Sequence, residues 1–423
     1  MVLRRRLGRA AAAAVVLGVL AGSAVAPAYA ADPPGVHWSP LSISAAGNCK
    51  FGEKDVPATP WALQRVLLDQ LWQKGAVTGK DVLVAVIDTG VDDRNEQLKG
   101  KVQEGPNLLM DKSQNPPKLT DGGSKTDPVG HGTKVAGIIA AAHRDGVGFV
   151  GLAPDAQILA IRQNDDAGNG DVGTLAQAIN EAVTRGAKVI NISQDVRGTT
   201  GSAFGGSDVL KRAVDAAEAA NVVVVAASGN DGQEGNTYPA AFDTVLAVGA
   251  SDRNNERATF SEYGNFVKVA APGVDMLSTV PGGGQCVDNG TSFASPYVAG
   301  VAALLRGQHK DWTARQIRAR IEQTAQRTER GPNKYIGWGV VDPVKAVTDT
   351  DPPANDPVPD PQVRLADAPI VPQPLGLGET QADRDRRTAT YVLVTAALMV
   401  ALLFGGSVVL RDARRRSKGT DTL

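Results

Sequence analysis

Five short stretches are apolar at nearly every position: Val82-Leu83-Val84-Ala85-Val86-Ile87, Ile158-Leu159-Ala160-Ile161, Val189-Ile190-Asn191-Ile192, Val222-Val223-Val224-Val225 and Val245-Leu246-Ala247-Val248. Continuous apolarity over so short a run, without polar alternation, predicts strands buried on both faces. Amphipathic patterns of helical period lie between them, at about Thr174–Arg185 and Ser207–Ala220. Another helical pattern starts at Trp61, and Asp311-Trp312-Thr313-Ala314 caps a late helix running to about Thr324. Strands alternating with helices predict an α/β fold, a mostly parallel central sheet with helices on both faces. Ligands of such sheets bind beyond the carboxyl ends of the strands.

The two ends of the chain carry a different pattern. Arg4-Arg5-Arg6 precedes an apolar run from Ala10 to about Val25, and Ala28-Tyr29-Ala30 places small residues where a signal peptidase requires them. Residues 1–30 are therefore predicted to be a secretory signal peptide, an N-terminal membrane anchor being the alternative. Near the other end, Tyr391 to Leu410 is uncharged and long enough for one transmembrane helix. Arg411, Arg414, Arg415, Arg416 and Lys418 follow it, whereas Arg384, Arg386 and Arg387 on the other flank are diluted by acids. The bias predicts a single-pass protein of the cell membrane, its main domain extracytoplasmic and residues 411–423 a basic cytoplasmic tail. Residues 31–60, rich in Pro, Gly and Ser, read as an N-terminal extension, 61–348 as the folded domain, and 349–390, with prolines at 352, 353, 357, 359, 361, 369, 372 and 374, as a semi-rigid linker. Fully extended from Asp351 through Thr390, that linker would reach about 120 Å.

Composition narrows the chemistry. A formal net charge of −1 gives no general attraction to nucleic acid. No His/Cys cluster has metal-ligand spacing, so neither a metal nor another cofactor is expected. The chain has two cysteines, Cys49 and Cys286. Outside the cytoplasm they most simply form one disulfide, tying the extension to the loop before residue 292; two free thiols are the alternative.

Three motifs carry the candidate chemistry. The strand ending at Ile87 runs into Asp88-Thr89-Gly90, Gly130-His131-Gly132-Thr133 opens a helical pattern, and Asn289-Gly290-Thr291-Ser292 opens another. A hydroxyl at a helix N-terminus sits near unpaired N–H groups and the positive end of the dipole. Serine is a weak nucleophile at neutral pH; it needs a histidine to take its proton and a carboxylate to orient that histidine. In motif and in the chain order Asp, His, Ser, the sequence resembles the subtilisin-like serine proteases from about Trp61 to Ala346. The resemblance implies Asp88, His131 and Ser292 as a catalytic triad and Asn230, in Ala226-Ala227-Ser228-Gly229-Asn230, as the oxyanion-stabilising side chain.

It also implies that Gly168-Asn169-Gly170 is an edge strand pairing with the substrate backbone. A dinucleotide-binding reading of the same glycines is weak, because they stand too far from the preceding strand for a tight turn. Asp88-Thr89-Gly90 also looks like an aspartic protease motif, but occurs once and leaves the His and Ser motifs unexplained. Ser193-Gln194-Asp195-Val196 stands where well-studied subtilisins have Ser-Leu-Gly-Gly, one wall of the pocket for the residue before the scissile bond. Pointing inward, Gln194, Asp195 and Val196 would make that pocket smaller and more polar, disfavouring Phe and Leu; the alternative is a loop that turns outward and leaves Asp195 solvated. Small, polar or basic residues should do better there. About thirty residues are too few for the folded inhibitory prodomain common in secreted members, so the extension is expected to remain with the enzyme. Signal peptide, short extension, protease domain, proline-rich linker, anchor and basic tail together resemble the mycosins, membrane-anchored proteases of type VII secretion systems. That resemblance implies protein or peptide substrates and membrane components of the secretion complex as partners. An alternative is a chiefly structural component of that complex, with proteolysis secondary.

Overall fold

The structure is a computed structural model; it describes residues 39–42, 49–66, 71–72, 77–111, 118–198, 204–362 and 378–417. The expected signal peptide lies outside the described residues. Fifteen strands are described: β1 Pro40–Ser42, β2 Leu83–Asp88, β3 Val102–Asn107, β4 Met110–Asp111, β5 Lys118–Leu119, β6 Gln157–Arg162, β7 Asn169–Asp171, β8 Val189–Ile192, β9 Val196–Arg197, β10 Val223–Ala227, β11 Thr237–Tyr238, β12 Val245–Ser251, β13 Val269–Pro272, β14 Met276–Thr279 and β15 Gln285–Asp288. The described helices are α1 Trp61–Gln64, α2 His131–Ala140, α3 Val172–Thr184, α4 Ser207–Ala219, α5 Thr291–Gln308, α6 Ala314–Thr324, α7 Pro343–Thr348 and α8 Gln381–Ser417.

Seven strands form the central sheet in the order β13-β12-β10-β8-β2-β6-β3, and every pair in it is parallel. Strand side chains alternate between faces, and the two core layers divide accordingly. Val84, Val86, Ile158, Ala160, Val223 and Val225 belong to the layer holding α2 and α5. Ala85, Ile87, Leu159, Ile161, Val224 and Ala226 belong to the layer holding α3 and α4. Apolar side chains are therefore needed at consecutive positions, which is the pattern the sequence displays. All five predicted strands and the three predicted longer helices are present, with ends shifted by at most three residues.

The described part of the extension is bound to the domain. Gly52 N–H donates to Pro281 O at 3.0 Å, Val56 N–H to Gln285 Oε1 at 2.8 Å, and Gly148 N–H to Val56 O at 2.9 Å. Cys49 and Cys286 form the disulfide, with Cα atoms 6.0 Å apart. Cys286 stands on β15 of the β14–β15 hairpin rather than in the open loop expected before residue 292.

The segment expected to begin the linker is also fastened. Arg320 Nη1 donates to Asp349 O at 2.6 Å, Arg315 pairs with Asp356 at 2.7 Å, and Arg327 with Asp360 at 2.7 Å. Val358 N–H donates to Gln323 Oε1 at 2.7 Å. The described residues up to Pro361 form one compact unit and those from Gln362 on a second. In the second, α8 starts at Gln381, ten residues before the apolar run, because the backbone N–H of Asp383 finds the Thr380 hydroxyl at 3.2 Å. This helix is long and apolar enough to cross a membrane, and its apolar residues are exposed.

Candidate active site

Asp88 is the last residue of β2, the strand between β8 and β6. Its carboxylate accepts from Thr89 N–H at 2.8 Å and from His131 Nδ1 at 2.8 and 3.0 Å. His131 is the first residue of α2. The helix can bring it so close because Gly132 has no side chain: a Cβ there would lie 2.0 Å from Gly90 O and 3.0 Å from the Asp88 Cβ. With Nδ1–H committed to Asp88, the lone pair of a neutral ring is on Nε2. Nε2 is buried and has no hydrogen-bond partner among the described residues.

Asp127 braces this corner, and sequence reading did not single it out. Its carboxylate accepts from Thr89 Oγ1 at 2.7 Å, Gly130 N–H at 2.8 Å, Thr133 N–H at 2.8 Å and Thr133 Oγ1 at 2.6 Å. Two of these donors are backbone N–H groups at the start of α2, which an acidic side chain stabilises through hydrogen bonds and the helix dipole. Burial and the neighbouring Asp88 push the Asp127 carboxyl above the usual range, while donors on Thr133 and Thr89 oppose that rise. The legible signal was an acid a few residues ahead of a Gly-His helix start.

Ser292 is the second residue of α5 and is buried. Its hydroxyl donates to Ser193 O at 3.1 Å. The return contact has a sequence cause. Pro296 lies inside α5 and lacks the N–H that would bond the carbonyl four residues earlier. That carbonyl belongs to Ser292, and it accepts from Ser193 Oγ at 3.1 Å. Ser292 and the end of β8 are thus cross-linked twice. Phe293 packs beside the His131 ring, centroids 5.3 Å apart, and Lys134 of α2 lies 5.8 Å from the Phe293 ring while pairing with buried Asp288 at 2.6 Å. The Ser, His and Asp side chains therefore share one rim of the sheet, at its carboxyl ends.

Asn230 follows β10 on the same rim. Its Oδ1 accepts from Thr291 N–H at 2.8 Å and Thr291 Oγ1 at 2.9 Å. A backbone N–H can only donate, so this end must be the oxygen, and the amide NH2 is left facing the neighbourhood of Gly290 and Ser292. Gln194 Nε2 donates to Gln163 Oε1. The Asp195 carboxylate lies beside Gly229, the residue before Asn230, an ideal Cβ of which would be 3.2 Å from Asp195 Oδ2. Burial first, then repulsion from Glu262 and Asp231, raises the Asp195 pKa to about 7, with Arg197 opposing. Arg197 itself pairs with Glu262. The Gly168–Gly170 edge expected to meet a substrate backbone carries β1 of this chain: Leu41 pairs with Gly170 and Ser42 with Asn169, antiparallel. No group of acids, histidines and cysteines able to hold a metal occurs among the described residues.

Residues 79–339 match the subtilase family, peptidase S8. Alkaline elastase YaB of Bacillus sp. strain YaB is 38% identical over 315 residues, covering 73% of this chain and 76% of the relative. Subtilisin NAT of Bacillus subtilis subsp. natto is 39% identical over 67% of this chain and 70% of its own length. Among solved structures, MycP1 with its N-terminal propeptide removed superposes with a TM-score of 0.62 at 32% identity, covering 70% of this chain and 98% of that one. MycP3, a protease of the type VII (ESX-3) secretion system, gives 0.62 at 31%, covering 74% and 92%. MycP1 from Mycobacterium smegmatis gives 0.63 at 28%, covering 79% and 94%. The chain belongs to the subtilase family: it is a subtilisin-like serine endopeptidase, similar in structure to the MycP proteases of type VII secretion.

Proposed function

We propose that this chain is a membrane-anchored endopeptidase of a type VII secretion system, cutting protein or peptide substrates through an Asp88–His131–Ser292 triad and an acyl-enzyme. The observation that carries the reading is the Asp88–His131 contact at 2.8 Å, with an unpartnered Nε2 on the rim that holds Ser292. His131 Nε2 takes the proton as Ser292 Oγ attacks the carbonyl, and later returns it to the leaving amine. Asp88 holds the ring tautomer and stabilises the imidazolium. Asn230, fixed by Thr291, and a backbone N–H bond the oxyanion. Ser292 Oγ donates to Ser193 O; contacts between nucleophile and base commonly tighten when substrate binds. The residue before the scissile bond sits beside Gln194 and Asp195. The α8 helix spans the membrane, with the protease domain extracytoplasmic and the tail cytoplasmic. The secretion role draws on the likeness to MycP1 and MycP3.

A fluorophosphonate probe tests the nucleophile: it should label the native protein and leave Ser292→Ala unlabelled, and equal labelling of both would sink the assignment. The same variant separates cleavage from scaffolding. Loss of secretion in Ser292→Ala makes proteolysis essential, whereas unaltered secretion assigns the chain a chiefly structural role in the complex.

A further inference from the structure

β6 and β8 flank β2 in the sheet, so the described segments that follow them, Asn164–Asp171 on one side and Ser193–Gly198 with Phe204–Gly205 on the other, form two walls on either side of Asp88. An extended peptide approaching Ser292 along this rim would run between those walls. The described N-terminal extension already does so. On one wall Leu41 pairs with Gly170 and Pro40 with Asp171, and Val172 N–H donates to Ser39 O at 3.1 Å. On the other, Ser39 N–H donates to Gly205 O at 3.2 Å and Gly205 N–H to Ser39 Oγ at 2.9 Å. Leu41 is 1% exposed and belongs to the core layer of Val172, Leu175 and Leu210. The segment therefore satisfies both walls with its backbone and fills the apolar floor with one side chain, as a bound peptide strand would.

We propose that β1 is a resident strand occupying the remote half of the substrate trough, so that the enzyme reads only the few residues nearest the scissile bond. β1 covers all three residues of β7. The wall left open beside Ser292 is Ser193–Asp195, since Val196 begins β9, which pairs with β11. About three substrate residues fit along it at one residue per wall position. This rests on Ser292 marking the reacting end of the trough, and it adds a selectivity: apolar side chains farther from the bond find their site already filled by Leu41.

The test is a binding ladder on the full-length Ser292→Ala protein, which reads occupancy without turnover. Acetylated peptide amides of two to six residues, with alanine at the first three positions from the carboxyl end and leucine at each added position, are titrated by calorimetry. With the extension intact, affinity should change less than about threefold between three and six residues. In Leu41→Ala it should rise about tenfold or more over that range, the gain expected for one newly buried leucine. If Leu41→Ala does not fold, a chain lacking residues 31–42, which keeps Cys49, takes its place. A tenfold gain with length in the intact chain overturns the proposal, as does a flat ladder in the folded, opened variant or absence of binding in both. Fluorophosphonate labelling of the native protein reports on Ser292 separately: a ladder of the expected form without labelling removes the nucleophile assignment and leaves the resident strand standing.

Discussion

Asp195 shows how one substitution in a wall can set the reading of a pocket. With a pKa near 7 in the folded chain, against 3.8 for a free carboxyl, it is largely neutral at pH 6 and ionised at pH 8. Facing the residue before the scissile bond, as proposed, the ionised form would favour lysine there and disfavour leucine. The ratio of kcat/KM for Lys over Leu substrates should therefore rise with pH through 7, by up to about tenfold between pH 6 and 8, as the ionised fraction does. Asp195→Asn should flatten it. Stability moves oppositely. Between about pH 4 and 7 the folded chain holds a proton here that the unfolded chain has released, so this contribution is complete below about pH 4 and lost as pH rises through 7. Asp195→Asn should accordingly narrow the difference in melting temperature between pH 5.5 and pH 8. A lysine preference that ignores pH, or persists in the asparagine variant, would show that the carboxylate does not face the substrate. Asn230→Ala should lower kcat by about 10²–10³, the figure for losing one oxyanion donor in subtilisin, with KM little changed; steady-state kinetics on a short ester or anilide checks it.

At the scale of elements, each motif was legible where local pattern and chemistry coincide. Asp88 ends an apolar strand, and His131 and Ser292 stand at the starts of helical patterns, so the sequence could assign each residue its element and put Asp88 at the carboxyl ends of the strands. Asp127 was not legible in the same way, because its four donors come from Thr89, Gly130 and Thr133 and half of its role depends on β2 meeting α2 in space. Thr291 belongs to the serine motif, but its hold on Asn230 spans 61 residues and shows only in the fold. β1 was missed because Pro40-Leu41-Ser42 is too short to show alternation and sits in a Pro/Ser-rich stretch. Asp127→Ala should weaken the start of α2, with a loss of about 1–2 kcal/mol for the cap alone. If its effect is positional, kcat should fall while KM holds, and Asp127→Asn, which keeps an acceptor, should recover part of the loss. A fall in melting temperature with unchanged kcat would confine Asp127 to stability.

Among the described residues one disulfide ties the extension to the domain, and one helix is long and apolar enough to cross a membrane. The Cys49–Cys286 bridge encloses 237 residues of sequence separation, for which chain entropy gives roughly 5 kcal/mol as an upper figure. Reduction, or the double Cys49→Ser/Cys286→Ser change, should lower the melting temperature and release the extension to protease while leaving residues 79–339 folded. Equal melting with and without reductant would show that the noncovalent seam along β15 suffices. For the topology, protease added outside permeabilised cell walls should digest the domain and spare the basic tail. Protection of the domain in such cells would reverse the proposed orientation.

The strap between Asp349 and Asp360 would take on a mechanical meaning in an enzyme anchored by α8, as proposed. Any pull on the tail enters the domain at the Asp360–Arg327 ion pair, then meets Val358 on Gln323, then Asp356 on Arg315. These contacts lie in series along α6 and the turn after it, so tension opens them one at a time before it can reach α7. With α8 anchored as proposed, the strap would act as a fuse, membrane drag having to open the ion pairs of Arg327 and Arg315 before it could load the rim carrying Asp88, His131 and Ser292.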